Sequence, residues 1–238
     1  MQSRGRRPPV LILSSEHGGN GVPREYRKLF QPYRALLDTH RGFDPGSLTM
    51  ARDLARYFGV GLTSSTTTRL LVDLNRSQGH PRLFSEVTRD LPRADRDRIV
   101  QLYYQPYRGE LVGRVAGETA AGRRVVHISS HSFAPALGGV IRDADIGLLY
   151  DPARPGERAL ARRWRQAILA ANPALRVRFN YPYAGKADGL TTHLRRRFTA
   201  RRYVGIELEV NQCHPRNGGR NWTRLRRLLV ESLESALR

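Results

Sequence analysis

Two rhythms of apolar and polar residues alternate along the 238-residue chain. Short aliphatic and β-branched runs predict strands over Val10 to Ser14, Arg124 to Ser129, Ile146 to Tyr150, Arg176 to Phe179 and Tyr203 to Val210. Between them a spacing of three and four residues predicts helices over Leu48 to Phe58, Arg93 to Ala116, Gly156 to Ala171, Thr191 to Phe198 and Asn221 to Leu237. Pro45-Gly46-Ser47 reads as the start of the first helix, and Pro106 as an interruption of the second. Gly61 to Thr67 and Leu70 to Leu74 are rich in β-branched or aliphatic residues and predict strands or a hairpin. Strands alternating with helices imply an α/β layered sheet, with mixed strand directions. A chain of this length supports one sizeable core, so residues 1–238 are expected to form one domain without repeat, low-complexity segment or linker.

In such a sheet the ligand site forms at the carboxyl ends of the strands, and the chain places its unusual polar residues there. Val10 to Ser14 runs into Ser15-Glu16-His17-Gly18-Gly19-Asn20, where two glycines permit a tight turn and close backbone approach. Val125 to Ser132 likewise carries a strand into His131, with His127 on the same face. In Tyr203 to Asn211 the period of two puts Glu207 and Glu209 together on one face of an otherwise apolar strand. A carboxylate there is costly to bury unless it meets a cation, a metal or several donors, and an arginine partner is the plain alternative to a functional role. Zinc hydrolase sites take three protein ligands of His and Asp/Glu type and keep a position open for water. His17 and His131 are candidates for two of them. The third is Asp44, in the loop Asp38 to Gly46, unless Asp44 or Ser47 simply caps the following helix; His40 is the other candidate. In Arg69-Leu70-Leu71-Val72-Asp73-Leu74-Asn75-Arg76, the guanidinium groups of Arg69 and Arg76 and the Asn75 amide suit a carboxylate, with Asp73 holding an arginine in place. A surface turn with an Asp-Arg pair is the plainer reading of the same string.

Charge alters this picture only in part. With 41 Lys+Arg against 21 Asp+Glu, the formal net charge is +20, which raises nucleic acid or another polyanion as a partner. That partner needs a clustered basic face, whereas here arginines occur in every segment and Lys28 and Lys186 are the only lysines. The densest clusters, Arg195 to Arg197 with Arg201-Arg202, and Arg220 to Arg227, are expected on solvated helix surfaces. Nucleic acid is therefore not the favoured partner. One cysteine, Cys213, provides neither a disulfide nor a thiolate cage, so any metal sits on His and carboxylate. The basic stretch Met1 to Pro9 leads into only a short apolar run, and no stretch of about 18 apolar residues exists, so a cytoplasmic protein with no membrane partner is expected. Ser129, Ser130 and Ser132 raise a serine hydrolase, but no Gly-x-Ser-x-Gly elbow accompanies them.

The motifs occur together in a familiar order: a strand into His17-Gly18-Gly19, His-x-x-x-Asp-x-Gly at His40 to Gly46, Arg-x-x-x-Asp-x-Asn-Arg at Arg69 to Arg76, His131-Ser132 after a strand, and Glu209-Val210-Asn211. In these the chain resembles the N-formylglutamate amidohydrolase family. Asp73-Leu74-Asn75-Arg76 is also similar to the carboxylate-binding motif of aspartoacylase-related zinc carboxypeptidase-like enzymes. The motifs span about residues 10 to 212. Asn20 stands where carboxypeptidase-like enzymes place a glutamate ligand, so here that carboxylate comes from elsewhere. The resemblance implies a phosphorylase/hydrolase-like three-layer α/β/α fold, one Zn2+ per chain and hydrolysis of an N-formyl or N-acyl amide of a small anionic substrate. Carried over by position, it makes His17, Asp44 and His131 metal ligands and Glu209 the general base, returning the proton to the leaving nitrogen. Arg69, Asn75 and Arg76 become the substrate grip, with Arg69 or Arg76 beside the developing oxyanion. Glu207, Asp73 and His127 would then support these residues from behind. The rival is a basic protein using a hydrolase-like scaffold to bind nucleic acid or another anion without zinc.

Overall fold

The computed structural model describes residues 8–238; most of the basic segment Met1 to Pro9 lies outside them. Six strands form one mixed sheet in the order β2-β1-β3-β8-β6-β7. They are β1 (Val10–Ser15), β2 (Leu62–Ser64), β3 (Val125–Phe133), β6 (Ile146–Leu149), β7 (Val177–Phe179) and β8 (Tyr203–Asn211). Between β3 and β6 a two-stranded hairpin, β4 (Ala136–Leu137) and β5 (Val140–Ile141), projects from the body. The helices are α1 (Arg34–Leu37), α2 (Ser47–Phe58), α3 (Arg93–Ile99), α4 (Gln105–Ala120), α5 (Pro155–Ala171), α6 (Leu190–Arg197), α7 (Cys213–Asn217) and α8 (Gly219–Leu237). β2, β1, β3 and β8 run parallel, and β6 joins β8 antiparallel. The carboxyl ends of β1, β3 and β8 therefore lie side by side.

Alternation along the strands divides the sheet between two cores. Leu11, Leu13, Val126, Ile128, Ile206 and Leu208 pack with residues of α2, α5 and α8, such as Leu54, Trp164 and Leu229. On the other face Ile12 meets Leu111 and Val115 of α4 and Leu190 and Leu194 of α6. The result is the three-layer α/β/α arrangement. His127, Ser129 and His131 of β3 and Glu207 and Glu209 of β8 fall on the α4/α6 side, which Tyr107 and Thr191 reach with their hydroxyls, whereas Ser130 and Ser132 face the start of α2.

Four local expectations change. Leu70 to Leu74 is not a strand but a buried turn. Its apolar side chains enter the second core, and its Leu70 and Leu71 carbonyls accept hydrogen bonds from Ser85 and Thr88 side chains instead of a neighbouring strand. Gly61 to Thr67 contributes only the short parallel β2, so no hairpin forms. Around Pro106, which lacks the N–H for a regular turn, the helical path continues through a wide π segment, Val100–Tyr104, between α3 and α4. Arg195 also departs from the expected solvated cluster: its side chain is only 6% exposed, donating to the Glu157 carboxylate and the Gly205 carbonyl. Among the described residues no helix is long and apolar enough to cross a membrane.

Candidate metal and substrate site

The residues gathered at the strand ends come from four separate segments. His17 follows β1, and the chain then passes so close to residues 65 and 66 that a Cβ on Gly18 or Gly19 would stand 2.8 Å from the Ser65 or Thr66 carbonyl oxygen. The Asp44 N–H donates to the His17 carbonyl at 2.9 Å, which lays the loop before α2 against it. No side chain caps α2, whose N-cap is Gly46, so the Asp44 carboxylate is left for the cleft. On β3, His131 stands in register with Glu209 of β8. His17, Asp44 and His131 each offer a ligand atom within 4.8 Å of the others. His40 lines the same cavity, yet is not part of this cluster.

Each imidazole is oriented by a carboxylate. His17 Nε2 lies 2.7 Å from Asp73 Oδ1, and His131 Nε2 lies 3.0 Å from Glu16 Oε2. Carboxylates only accept, so a neutral ring carries its proton on Nε2 and turns the Nδ1 lone pair inward. Inward means toward Asp44 Oδ2, 3.3 Å from His17 Nδ1 and 2.9 Å from His131 Nδ1. Three acceptors facing one another require a cation. A second proton on His131 meets that need: burial lowers its pKa, but hydrogen bonds to Asp44 and Glu16 outweigh burial and raise it well above the usual value. A divalent ion with affinity for imidazole nitrogen and carboxylate oxygen meets it as well, and zinc prefers this donor set. Outer carboxylates behind metal-bound histidines are the usual companion of such sites.

The surrounding charge points the same way. Glu16, Asp44 and Asp73 are all buried and all held below the ordinary carboxylate range, burial opposing and cationic or hydrogen-bonding neighbours outweighing it. Against these three stands Arg69, which donates to Asp44 Oδ1 at 3.1 Å and to Asp73 Oδ2 at 2.7 Å with its side chain 25% exposed. Its outer edge faces the cleft, but two of its nitrogens already orient the cluster. Glu209 differs from the other acids. Its buried Oε2 has no hydrogen-bond partner, and burial, reinforced by Asp44 and Glu207 against the opposing charge of His131, pushes its pKa up to about 8. A buried carboxyl with a raised pKa and an unpartnered oxygen, on a residue that lines a cavity, has the properties of a proton carrier.

The remaining predicted residues are distributed around this centre. The Asn75 Oδ1 accepts from the Leu190 N–H at the start of α6, and the residue lines the cavity. Arg76 NH1 donates to the Asp188 carbonyl at 2.9 Å, and the residue lines the cavity. Glu207 accepts the Thr191 hydroxyl and makes no ion pair among the described residues. Ser129 and Ser130 donate to Glu16 and to the Ser47 carbonyl, and Ser132 to the Pro45 carbonyl. Glu16 is the residue that sequence reasoning missed. A carboxylate directly after an apolar strand and beside His17 was the available signal, whereas nothing in the sequence marks its other partner, the Tyr107 hydroxyl.

His127 is enclosed, between the Ser14 hydroxyl and the Tyr203 hydroxyl at 2.8 Å each, and does not line the cavity. Burial lowers its pKa from 6.5 to about 4. Between these values the unfolded chain binds the proton and the folded chain does not, so stability is lost as pH falls through that window. At pH 5 this one group should cost roughly 2 kcal/mol relative to pH 7.5. In urea titrations at both pH values, His127→Gln should lose correspondingly less stability on acidification than the parent. An equal loss in both proteins would mean that His127 is not held neutral.

The cluster opens into a cavity of about 770 Å³. The N-formylglutamate amidohydrolase family profile matches residues 9–214. Among solved structures, a gene product of Agrobacterium tumefaciens is similar at 28% identity and a TM-score of 0.78, with 94% of this chain and 90% of that one covered. An N-formylglutamate amidohydrolase from Ralstonia eutropha is similar at 20% identity and a TM-score of 0.68, covering 98% and 94%. It shares the fold. The comparison with curated proteins finds no match.

Proposed function

The chain belongs to the N-formylglutamate amidohydrolase family, a family of amidohydrolases for small acyl amino acids, and on that premise we propose that it is zinc-dependent and acts as one domain over residues 1–238. The observation that carries this is the inward set of His17 Nδ1, His131 Nδ1 and Asp44 Oδ2, with each ring backed by a carboxylate. These three residues would hold the ion. When bound, zinc supplies a Lewis acid that polarises a carbonyl and lowers the pKa of a water toward about 7.

The protein's own groups account for the remaining steps. Glu209 accepts the proton of the attacking water and returns it to the amide nitrogen, which must be protonated before it can leave. Asp73 and Glu16 hold the two imidazoles in one tautomer and orientation. Arg69, fastened to Asp44 and Asp73, presents fixed positive charge where the carbonyl oxygen gains negative charge. Arg76 and the Asn75 amide bind the substrate carboxylate, and Glu207 sets the start of α6 through Thr191.

The test is formate release from N-formyl-L-glutamate by zinc-loaded and chelator-treated protein. Activity only in the former is expected, and equal activity in both would remove the metal from the reading. Arg76→Ala should lower kcat/KM for the carboxylate substrate by about 10- to 100-fold while a neutral formyl-amide analogue loses less than about threefold. Equal loss on both would show that Arg76 does not bind the carboxylate.

A further inference from the structure

We infer that the substrate carries an apolar acyl group longer than formyl, packed against the hairpin β4–β5 and the segment 182–187. This rests on the hydrolase reading above and names its substrate class more closely. The cavity of about 770 Å³ falls in the range of about 300–1,000 Å³ that encloses drug-sized ligands, whereas formylglutamate has only about a dozen non-hydrogen atoms. Space alone does not decide the chemistry; the lining does. One portion, from the loops that precede α2 and follow β2, presents Arg41, Arg76, Arg82 and Arg89 beside Pro81, Phe84 and Glu86, the last paired with Arg41. The other, from the hairpin after β3 and the segment after β7, presents Leu137, Pro182, Tyr183 and Ala184.

Exposed apolar surface is concentrated at the second portion. Leu137 is 42% exposed and Tyr183 46%, and Val140, paired with Leu137 across the hairpin and so on its face, is 66% exposed; among the described residues the other exposed large apolar side chains are Tyr57, Leu102 and Ile141, which do not line the cavity. Apolar side chains gathered in water at the mouth of a cleft mark a surface that a ligand covers. Tyr183 is braced: the Arg142 guanidinium lies 5.1 Å from the ring centroid and donates to the hydroxyl at 3.1 Å. With the amino-acid carboxylate at the arginine portion and the scissile amide at the His17–Asp44–His131 cluster, the end of the substrate left for the apolar portion is the acyl group.

The experiment is calorimetric binding of N-formyl-, N-butyryl- and N-octanoyl-L-glutamate and of N-formyl-L-phenylalanine to Glu209→Gln protein, alone and with Leu137→Asp or Tyr183→Ser added. Full burial is worth about fourfold in affinity per methylene. Partial cover by one side of the cleft should still tighten binding at least about tenfold from formyl to octanoyl. Leu137→Asp or Tyr183→Ser should reduce that gain below about threefold and leave formylglutamate binding unchanged. No gain with chain length, or a gain from the apolar amino acid in place of the acyl chain, overturns the inference. Turnover separates it from the reading beneath: wild-type protein that hydrolyses formylglutamate without chain-length preference in binding refutes only the acyl assignment. A binding gain in a protein that hydrolyses none of these amides supports the acyl site and refutes the hydrolase.

Discussion

Glu209→Gln should lower formate release by at least about 100-fold while zinc content and thermal stability persist. Glutamine matches glutamate in size but cannot take a proton from water. The wild-type Oε2 has no hydrogen-bond partner to lose, and the carboxyl is already pushed up to about 8 by burial. The site already favours the neutral carboxyl, so replacing it with a neutral amide leaves stability unchanged or raises it slightly. Glu207 provides the contrast. It accepts the Thr191 hydroxyl and so fastens α6 to β8; Glu207→Gln should reduce the melting temperature or metal affinity before it reduces kcat. Steady-state kinetics with metal analysis and melting curves on both variants decide the matter. If Glu207→Gln is inactive at full zinc occupancy while Glu209→Gln turns over normally, the two roles are reversed.

His17→Ala, His131→Ala and Asp44→Asn should each bring zinc from about one per chain to a small fraction, with hydrolysis lost in parallel. Asp44 is the most demanding position because its carboxylate meets both imidazoles and Arg69. Asp73→Asn and Glu16→Gln should be milder, weakening metal affinity by about 10- to 100-fold, because they release ring orientation and leave the ligands in place. Elemental analysis of untagged protein, with circular dichroism to confirm folding, provides the readout. Folded wild-type protein that binds no zinc when it is supplied would falsify the metal assignment. So would His17→Ala protein with undiminished zinc.

Strand ends and period-two alternation made much of this site legible from sequence, for a physical reason. In β8 the apolar residues Val204, Ile206, Leu208 and Val210 fix which face is core, and that fixes Glu207 and Glu209 on the other. His131 was legible in the same way on β3. The segment Leu70 to Leu74 was misread because its apolar content records burial alone. It is buried beneath a loop whose Ser85 and Thr88 hydroxyls satisfy its Leu70 and Leu71 carbonyls, which no local pattern announces. Glu16 was overlooked because its partners, Ser129, His131 and Tyr107, lie more than ninety positions away. The arginine clusters misled in a similar way, since the Arg195 side chain turns inward only because Glu157 of a different helix faces it.

The register that pairs His131 with Glu209 joins two fully internal strands of the sheet, so the proposed ligand and the proposed base are placed by the ladder itself. A one-residue slip there would turn one of them into the opposite core. The cleft walls are built differently, from an exposed hairpin and loops outside the sheet. Substitutions at Leu137, Val140, Ile141 or Tyr183, all exposed, can accumulate without crossing that ladder. New substrates are thus open to this scaffold through its rim, at little risk to the chemistry on its floor.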